Sequence, residues 1–254
     1  MMDVIILAGG ASSDDALAEL TGGKLKSMLE IAGRPMVQWV LDAVGNAPSV
    51  GTVVLIGIED VTRLSCQKPL VILPDRGALM DNIQQGAKTL QELHPQDTHV
   101  VSISADVPAI TADIVEAMIK QFSAREVDIY YSVVERDVIE KRYPGSHRTY
   151  LKVKDAQVCG GDLNCFSKRA ALDPNAIWKD LISLRKSPLK QAALIGLDTL
   201  LLMLLRQLTL DQAVKRVCKR LGITGRALRV PFAEIGMDVD KPFQFEMVQA
   251  DLLR

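Results

Sequence analysis

The chain has 254 residues, of which 48% are hydrophobic and 24% charged, and its 30 Lys and Arg against 31 Asp and Glu leave a net charge of -1. This composition is typical of a globular protein, and the charge balance argues against nucleic acid as a partner because a nucleic-acid binder carries a basic excess. The longest apolar stretch, Leu194 to Leu205, contains Asp198 and is shorter than the ~20 residues of a membrane span, so we expect no membrane partner.

The N-terminus and the cysteines both favour a cytoplasmic protein. Residues 1 to 10 have no basic segment before their short apolar run, unlike a secretory signal. The four cysteines form no C-x-x-C pair, and the three histidines fall into no ligand spacing. We therefore expect reduced thiols, no disulfide framework and no zinc site.

Short β-branched runs alternate with helix-period segments through the first half of the chain. This pattern predicts an α/β fold in which crossover helices join strands into a mostly parallel sheet. The predicted strands are Val4 to Leu7, Thr52 to Ile56, Leu70 to Leu73, Val100 to Ser104 and Val127 to Val134. Helices are predicted from Pro35, after the turn at 74–77, and after an N-cap at Thr111.

The second half of the chain has a different sequence pattern. Strands are predicted at Thr149 to Val153, at Ala227 to Val230 and around Ile235, followed by a helix from Pro242. Residues 175–221 are almost entirely helical in pattern, with breaks expected at Ser187-Pro188 and Leu208-Thr209. No repeat or low-complexity linker appears, so we predict a single domain over 1–254 with a helical insert at 175–221.

Two glycines, Gly9 and Gly10, directly follow the first predicted strand. Backbone N–H groups at such a position can turn toward a phosphate with no side chain between them, although an ordinary tight turn has the same sequence. The segment matches neither G-x-x-x-x-G-K-[ST] nor G-x-G-x-x-G. The segment therefore lacks the motifs of Walker-type ATPases and of hydride-transfer enzymes.

Five segments, spread over nearly the whole chain, occur in the same order as the motifs of one known protein family. They are Leu7-Ala8-Gly9-Gly10, Lys26 followed by Gly33-Arg34-Pro35-Met36, Ser104 to Thr111 with Asp106-Val107-Pro108, Gly160 to Asn164, and Gly236 to Pro242. In combination they resemble the nucleoside-triphosphate transferase family, which includes sugar-1-phosphate nucleotidylyltransferases, methylerythritol-phosphate cytidylyltransferases and molybdenum-cofactor guanylyl- and cytidylyltransferases.

The resemblance implies a Rossmann-like, mostly parallel mixed sheet flanked by helices, of the nucleotide-diphospho-sugar transferase type. The site would lie beyond the carboxyl ends of the strands. The implied reaction moves a nucleotidyl group from a nucleoside triphosphate to a phosphorylated small-molecule acceptor and releases pyrophosphate. Both the acceptor and the base are left open.

The resemblance also implies a Mg²⁺ cofactor held by Asp106 together with Asp238 or Asp240. Carboxylate oxygens suit this hard cation. Asp106 could instead cap the turn before Pro108. In an extended segment Asp238 and Asp240 point the same way, so both could reach the metal, and we favour Asp238.

Lys26 is expected to be catalytic with Asp106, placing its charge on the triphosphate or on the leaving pyrophosphate. Lys24 is a weaker candidate, and a solvated surface lysine is the alternative. By the same resemblance, the nucleotide would also contact Leu7, Ala8, Gly9, Gly10, Gly77 and Asn82, and the acceptor would contact Gly161 and Asn164. Capping the following helix is an equally good role for Asp81 and Asn82.

One departure from the family concerns the loop after Gly9-Gly10. Most members carry a glycine and an arginine there, whereas residues 11–19 contain three acids and no cation, and no arginine precedes Arg34. Either the lysines alone contact the phosphates, or the protein binds nucleotide with weakened catalysis. The leading hypothesis is a Mg²⁺-dependent nucleotidyltransferase, and the rival is a catalytically weak or silent nucleotide-sensing protein.

The helical insert contains an unusually apolar segment. Its broad apolar face comprises Leu194, Leu197, Leu201, Leu204, Leu205 and Leu208. One sheet face cannot cover a helix that is apolar nearly all round. We expect the leucines to pack against the following helix, and the alternatives are a second subunit in a homodimer or a lid that borders the acceptor pocket.

Overall fold

The structure is a computed structural model that describes residues 1–9, 16–173 and 196–254. The expectations for Gly10, for the break at Ser187-Pro188 and for Leu194 lie outside the described residues.

A mixed, mostly parallel sheet of nine strands forms the centre of the described part of the chain. With a separate two-stranded hairpin, the described residues contain eleven strands, namely β1 (Met2–Leu7), β2 (Glu30–Ile31), β3 (Arg34–Pro35), β4 (Val50–Ile56), β5 (Leu70–Leu73), β6 (His99–Ser104), β7 (Ile129–Glu135), β8 (Leu151–Lys152), β9 (Gln157–Gly160), β10 (Leu163–Ser167) and β11 (Gly225–Val230). The order is β5-β4-β1-β6-β10-β7-β9-β8, β11 pairs with β7, and β2 and β3 form a separate hairpin. Strands β5, β4, β1 and β6 are parallel, as the sequence predicted, and the fold class is confirmed.

Helices cover both faces of this sheet. They are α1 (Ala18–Thr21), α2 (Met36–Gly45), α3 (Leu79–Leu93), α4 (Ala112–Phe122), α5 (Arg136–Arg142), α6 (Lys168–Leu172), α7 (Leu197–Leu204), α8 (Leu210–Leu221) and α9 (Pro242–Leu252). Helices α2 and α4 pack on one face of the sheet, and α3 and α6 pack on the other. Because the parallel strands are covered on both sides, β1, β4 and β5 are continuous apolar runs over most of their length. None of the helices described combines the length and apolar character that crossing a bilayer requires.

Local signals placed several helix ends correctly. The Thr111 hydroxyl accepts a hydrogen bond from the Ile114 N–H, which confirms the predicted N-cap of α4. Thr209 caps α8 in a capping box with Gln212, so the break near Leu208-Thr209 is also confirmed. Helix α9 begins at Pro242 as predicted, since proline fits the first helical turn.

Other predictions were wrong or incomplete. Residues 233–236 around Ile235 form a 3₁₀ turn closed by the bond from the Ile235 N–H to the Phe232 carbonyl, not a strand. Ile235 is buried, and burial alone does not distinguish a strand from a turn. The pattern also missed α5, β9 and β10, which are short.

The insert departs from expectation where the structure describes it. Three leucines of α7 and the residue that follows the helix are exposed, with Leu197 at 73%, Leu201 at 57%, Leu204 at 71% and Leu205 at 58%, whereas Leu208 is buried. The expectation that the neighbouring helix covers these four leucines is therefore wrong. Helix α8 contacts α7 through ion pairs of Asp198 with Arg216 and Arg220, but it packs mainly along β11 and buries Leu221 beside α3 and α6, on the opposite face of the sheet from α2 and α4.

Candidate active site

The candidate site lies where β1 and β6 end at the carboxyl edge of the parallel sheet. The Ala105 N–H donates to the Leu7 carbonyl at 3.0 Å, so the chain after β6 is fixed against the end of β1. The Val239 N–H donates to the Asp106 carbonyl at 2.9 Å, which draws the closing segment 236–242 to the same edge. Residues more than a hundred positions apart in sequence therefore meet at this edge.

Three carboxylates converge at this edge. One oxygen from each of Asp106, Asp238 and Asp240 lies within 4.8 Å of the others. A set of oxygen ligands at this spacing fits a hard divalent cation such as Mg²⁺. The geometry brings together all three acids that the sequence proposed and includes both Asp238 and Asp240.

Lys26 lies between two of these acids. The 3₁₀ turn Lys26–Met28 is fixed by the Ser27 hydroxyl, which donates to the Ala8 carbonyl at 3.0 Å. The Lys26 ammonium donates to Asp106 at 2.7 Å and also to Asp240. Burial disfavours the charged amine, but the two carboxylates outweigh it and hold the pKa of Lys26 above its usual value. The alternative that Lys26 is a solvated surface lysine is therefore wrong, whereas Lys24 is exposed.

Asp238 has a different counter-ion, Arg148, which the sequence analysis did not single out. The two side chains form an ion pair in which each is only about one-sixth exposed, 16% for Arg148 and 15% for Asp238. Burial raises the pKa of Asp238 to about 7, with Arg148 opposing the rise and Asp106 adding to it. Arg148 precedes the predicted strand at Thr149 to Val153 and belongs to none of the five motif segments, so no sequence signal pointed to it.

A fourth acid, Asp162, lies in the segment Gly160 to Asn164, in which the sequence predicts a role only for Gly161 and Asn164. It lies in a break between β9 and β10, both of which run antiparallel to β7. Its backbone N–H donates to the Ile235 carbonyl at 2.9 Å, and its carbonyl accepts from the Ser104 N–H at 3.0 Å. Burial, then the nearby charges of Asp238 and Asp106, raise the pKa of Asp162 well above its usual range.

The predicted acceptor residues build this break. The Asn164 side-chain oxygen accepts from the Ser132 N–H at 2.9 Å, and its amide nitrogen donates to the Gly161 carbonyl at 2.9 Å. A Cβ added at Gly161 would lie 2.5 Å from the Ser132 hydroxyl, so a side chain does not fit there. Gly161 and Asn164 thus fix the backbone that presents Asp162.

A cavity of about 330 Å³ opens beside the acids. Its lining includes the Arg148–Asp238 ion pair and the β9–β10 break. The lining residues are Tyr131, His147, Arg148, Thr149, Cys159, Gly160, Gly161, Asp162, Asp238, Asp240, Lys241 and Gln244. Within the described residues, neither α7 nor α8 lines the cavity, so the described part of the insert does not border it.

Comparison with known proteins agrees with this geometry. The MobA-like NTP transferase domain matches residues 4–224. The chain belongs to the MobA-like NTP transferase family. A hypothetical transferase from Thermus thermophilus is 32% identical, with a TM-score of 0.82, and the match covers 96% of this chain and 99% of that one.

More distant members of the fold also superpose over the whole chain. CMP:2-keto-3-deoxy-manno-octonic acid synthetase complexed with CTP is 16% identical with a TM-score of 0.61, and the match covers 100% of this chain and 99% of that one. A 4-diphosphocytidyl-2C-methyl-D-erythritol synthase from Anaerococcus prevotii is 10% identical with a TM-score of 0.58, covering 100% and 98%. At these identities the likeness shows the fold alone. A sequence comparison with curated proteins finds no match.

The predicted nucleotide residues of this MobA-like transferase that the structure describes do not line this cavity, and they lie at the end of β1 and around the 75–77 turn. A Cβ added at Gly9 would lie 2.5 Å from an Asp75 carboxylate oxygen, so the strand end and the turn are in close contact. Asn82 donates to Asp75 at 2.7 Å and accepts from the Arg76 N–H at 2.8 Å. Asn82 therefore shapes the turn in which Gly77 has a φ of 84°, a value that favours glycine.

The backbone groups of Leu7 and Ala8 have partners within the sheet edge. The Leu7 carbonyl accepts from Ala105, and the Ala8 N–H donates to the Ile56 carbonyl at 2.9 Å. These bonds hold the strand end rigid beside Lys26. Contact of Leu7, Ala8, Gly9, Gly77 and Asn82 with a nucleotide stays a prediction.

Proposed function

We propose that this protein is a Mg²⁺-dependent nucleotidyltransferase, of the 2.7.7 type, that moves a nucleoside monophosphate group from a nucleoside triphosphate to a phosphorylated small-molecule acceptor and releases pyrophosphate. The observation that carries the proposal is the convergence of Asp106, Asp238 and Asp240 next to Lys26. Family membership supports the same reaction class.

The proposal assigns the two substrates to two groups of residues near the acids. Gly9 and the 75–77 turn would receive the nucleotide, with Lys26 neutralising phosphate charge. The 330 Å³ cavity beside Gly161 would receive the acceptor. The three acids would hold Mg²⁺, which when bound neutralises phosphate charge and orients the reacting groups.

The charge of the cluster supports a bound divalent cation. Four carboxylates, Asp106, Asp162, Asp238 and Asp240, face two cations, Lys26 and Arg148. Such an excess of acids in a partly buried site is costly unless a cation or protons compensate for it. The pKa values of Asp162 and Asp238 are raised, as is expected of a buried cluster of acids that holds no cation.

The direct test is pyrophosphate release with each of the four nucleoside triphosphates and Mg²⁺ against a panel of sugar, polyol and cofactor-precursor phosphates. The two distant relatives with cytidine in their names make CTP the first triphosphate to try. We expect one triphosphate and acceptor pair to release pyrophosphate, and chelation of the metal to stop it. If no pair reacts while a triphosphate still binds, the protein is not a nucleotidyltransferase.

That outcome would favour the second candidate, a catalytically silent nucleotide-sensing protein. The observation behind it is that the only cation in contact with Asp106 in the described residues, Lys26, is itself held by two acids. Combined with the loop 11–19, which contains no lysine or arginine, this leaves few free charges for a triphosphate.

We also propose that the chain forms a single domain, that the protein is cytoplasmic and that it is a homodimer. The observation for a dimer is the row of exposed leucines on α7. We expect Leu201→Glu combined with Leu204→Glu to lower the sedimentation coefficient to that of a monomer. A wild-type protein that already sediments as a monomer would contradict the dimer.

A further inference from the structure

Arg148 contacts both the acid cluster and the cavity. Its guanidinium pairs with Asp238, and the same side chain lines the acceptor cavity together with Lys241 and His147. Its Nε is buried with no hydrogen-bond partner among the described residues. A buried guanidinium with an unused donor has capacity for one further acceptor.

The carboxylate that holds Arg148 is also one of the three suited to a divalent cation. A cation that takes the Asp238 oxygens competes with the guanidinium for the same electron pairs. Arg148 would then lose its ion pair and, with Asp162 as its remaining nearby acid, could pair with a new anion, because a largely buried charge without an ion pair is costly. The nearest open space is the cavity, where a phosphate group could accept two parallel hydrogen bonds from the guanidinium.

Resting on the proposed function, we propose that Arg148 binds the acceptor's phosphate group and is held by Asp238 until a divalent cation displaces it. Metal binding and phosphate binding then strengthen each other through one exchanged ion pair. Such coupling is reciprocal, so loss of Arg148 must alter both equilibria. In this mechanism Arg148 is a binding residue for the phosphate and a competitor for the metal.

The anchoring of Arg148 fits this role. His147 packs edge-on against the Phe243 ring at 5.5 Å between centroids, and the Tyr150 hydroxyl donates to Glu140 at 3.0 Å. Side-chain contacts therefore anchor the chain on both sides of Arg148, and in this proposal a change of partner needs only rotation of its long side chain. The exchange requires no movement of the sheet.

The first arm of the test uses inorganic phosphate as the probe, measured by calorimetry without metal at pH 8. Asp238→Asn keeps the shape of the side chain but releases the guanidinium, so we expect phosphate to bind about five- to tenfold more tightly than to the wild type. Adding Arg148→Gln to Asp238→Asn should remove this gain. A gain that persists in the double variant would show a general charge effect and overturn the proposal.

The second arm titrates Mn²⁺ into the substrate-free protein and measures free Mn²⁺ by electron paramagnetic resonance. We expect Arg148→Gln to bind Mn²⁺ about fivefold more tightly than the wild type because the competing cation is gone. Arg148→Lys, which keeps the charge, should remain near the wild type. Arg229→Gln is the matched control, since Arg229 pairs with Asp155 and Glu135 away from the site.

Unchanged or weaker Mn²⁺ binding in Arg148→Gln would show that Arg148 only positions Asp238, and would overturn the proposal. If Arg148→Gln alone does not fold, the double variant still supplies the phosphate comparison, because it leaves neither buried charge unpaired. Neither titration involves nucleotide or turnover. A failed pyrophosphate assay and a failed exchange are therefore separate results.

Discussion

Asp106→Asn is expected to lower the rate of nucleotidyl transfer by on the order of a thousandfold or more while the protein stays folded. The Asp106 carboxylate accepts from the Lys26 ammonium at 2.7 Å and from the Ser104 hydroxyl, and it is one of the three converging acids. Asparagine keeps the shape but loses the charge that a divalent cation requires. The backbone bond from Val239 to the Asp106 carbonyl does not depend on the side chain.

The measurement is steady-state pyrophosphate release at saturating Mg²⁺, with thermal unfolding as the check on folding. Asp113→Asn is the control, since Asp113 is an exposed acid in the first turn of α4 and lies away from the cluster. Wild-type turnover by Asp106→Asn would mean that Asp106 is a structural cap and that the metal assignment is wrong. Parallel assays of Asp238→Asn and Asp240→Asn would rank the other two acids.

The sheet could be predicted from sequence because its signals are local and repeated. A buried parallel strand is a run of apolar residues, as in Val53 to Ile56, and each following helix has its own cap or turn. The strands around the break at 161–162 carry no such signal. They are four and five residues long, and Asn164 supplies with its side chain a bond that a regular strand would make with its backbone.

The sequence allowed several residues of the candidate site to be predicted, but not the ion pairs that these residues form. Asp106, Asp238 and Lys26 stood out because of motif resemblance, and the structure brings them together. Their partners are set by tertiary packing across 80 residues for Lys26 with Asp106 and 214 for Lys26 with Asp240. Arg148 lies between a Pro-Gly turn and the predicted strand at Thr149 to Val153 and belongs to none of the motif segments, so its contact with Asp238 could come only from the fold.

The second large effect is expected at Lys26. Lys26→Ala should lower kcat/KM for the triphosphate by about ten- to a hundredfold, since a lost charge-assisted contact with phosphate costs roughly 1.5–3 kcal/mol. Only 17% of the Lys26 side chain is exposed, and its ammonium contacts two of the three acids. Lys26 contacts the acids, and its neighbour Ser27 contacts Ala8 at the end of β1. Lys26 is therefore the cation of the described residues that is best placed to contact the phosphates when a metal takes the carboxylates.

Lys24→Ala is the matched control for this experiment, because Lys24 lies two residues away, has the same chemistry and is exposed to solvent. Its removal should change kcat/KM for the triphosphate by less than twofold, about 0.4 kcal/mol. Both variants are compared by initial rates over a range of triphosphate at fixed acceptor. Equal and small effects would place both lysines outside the phosphate site. A loss confined to Lys26→Ala that appears in kcat alone, with KM for the triphosphate unchanged, would instead assign its charge to the transition state or the leaving pyrophosphate, because an interaction made only there does not alter ground-state binding.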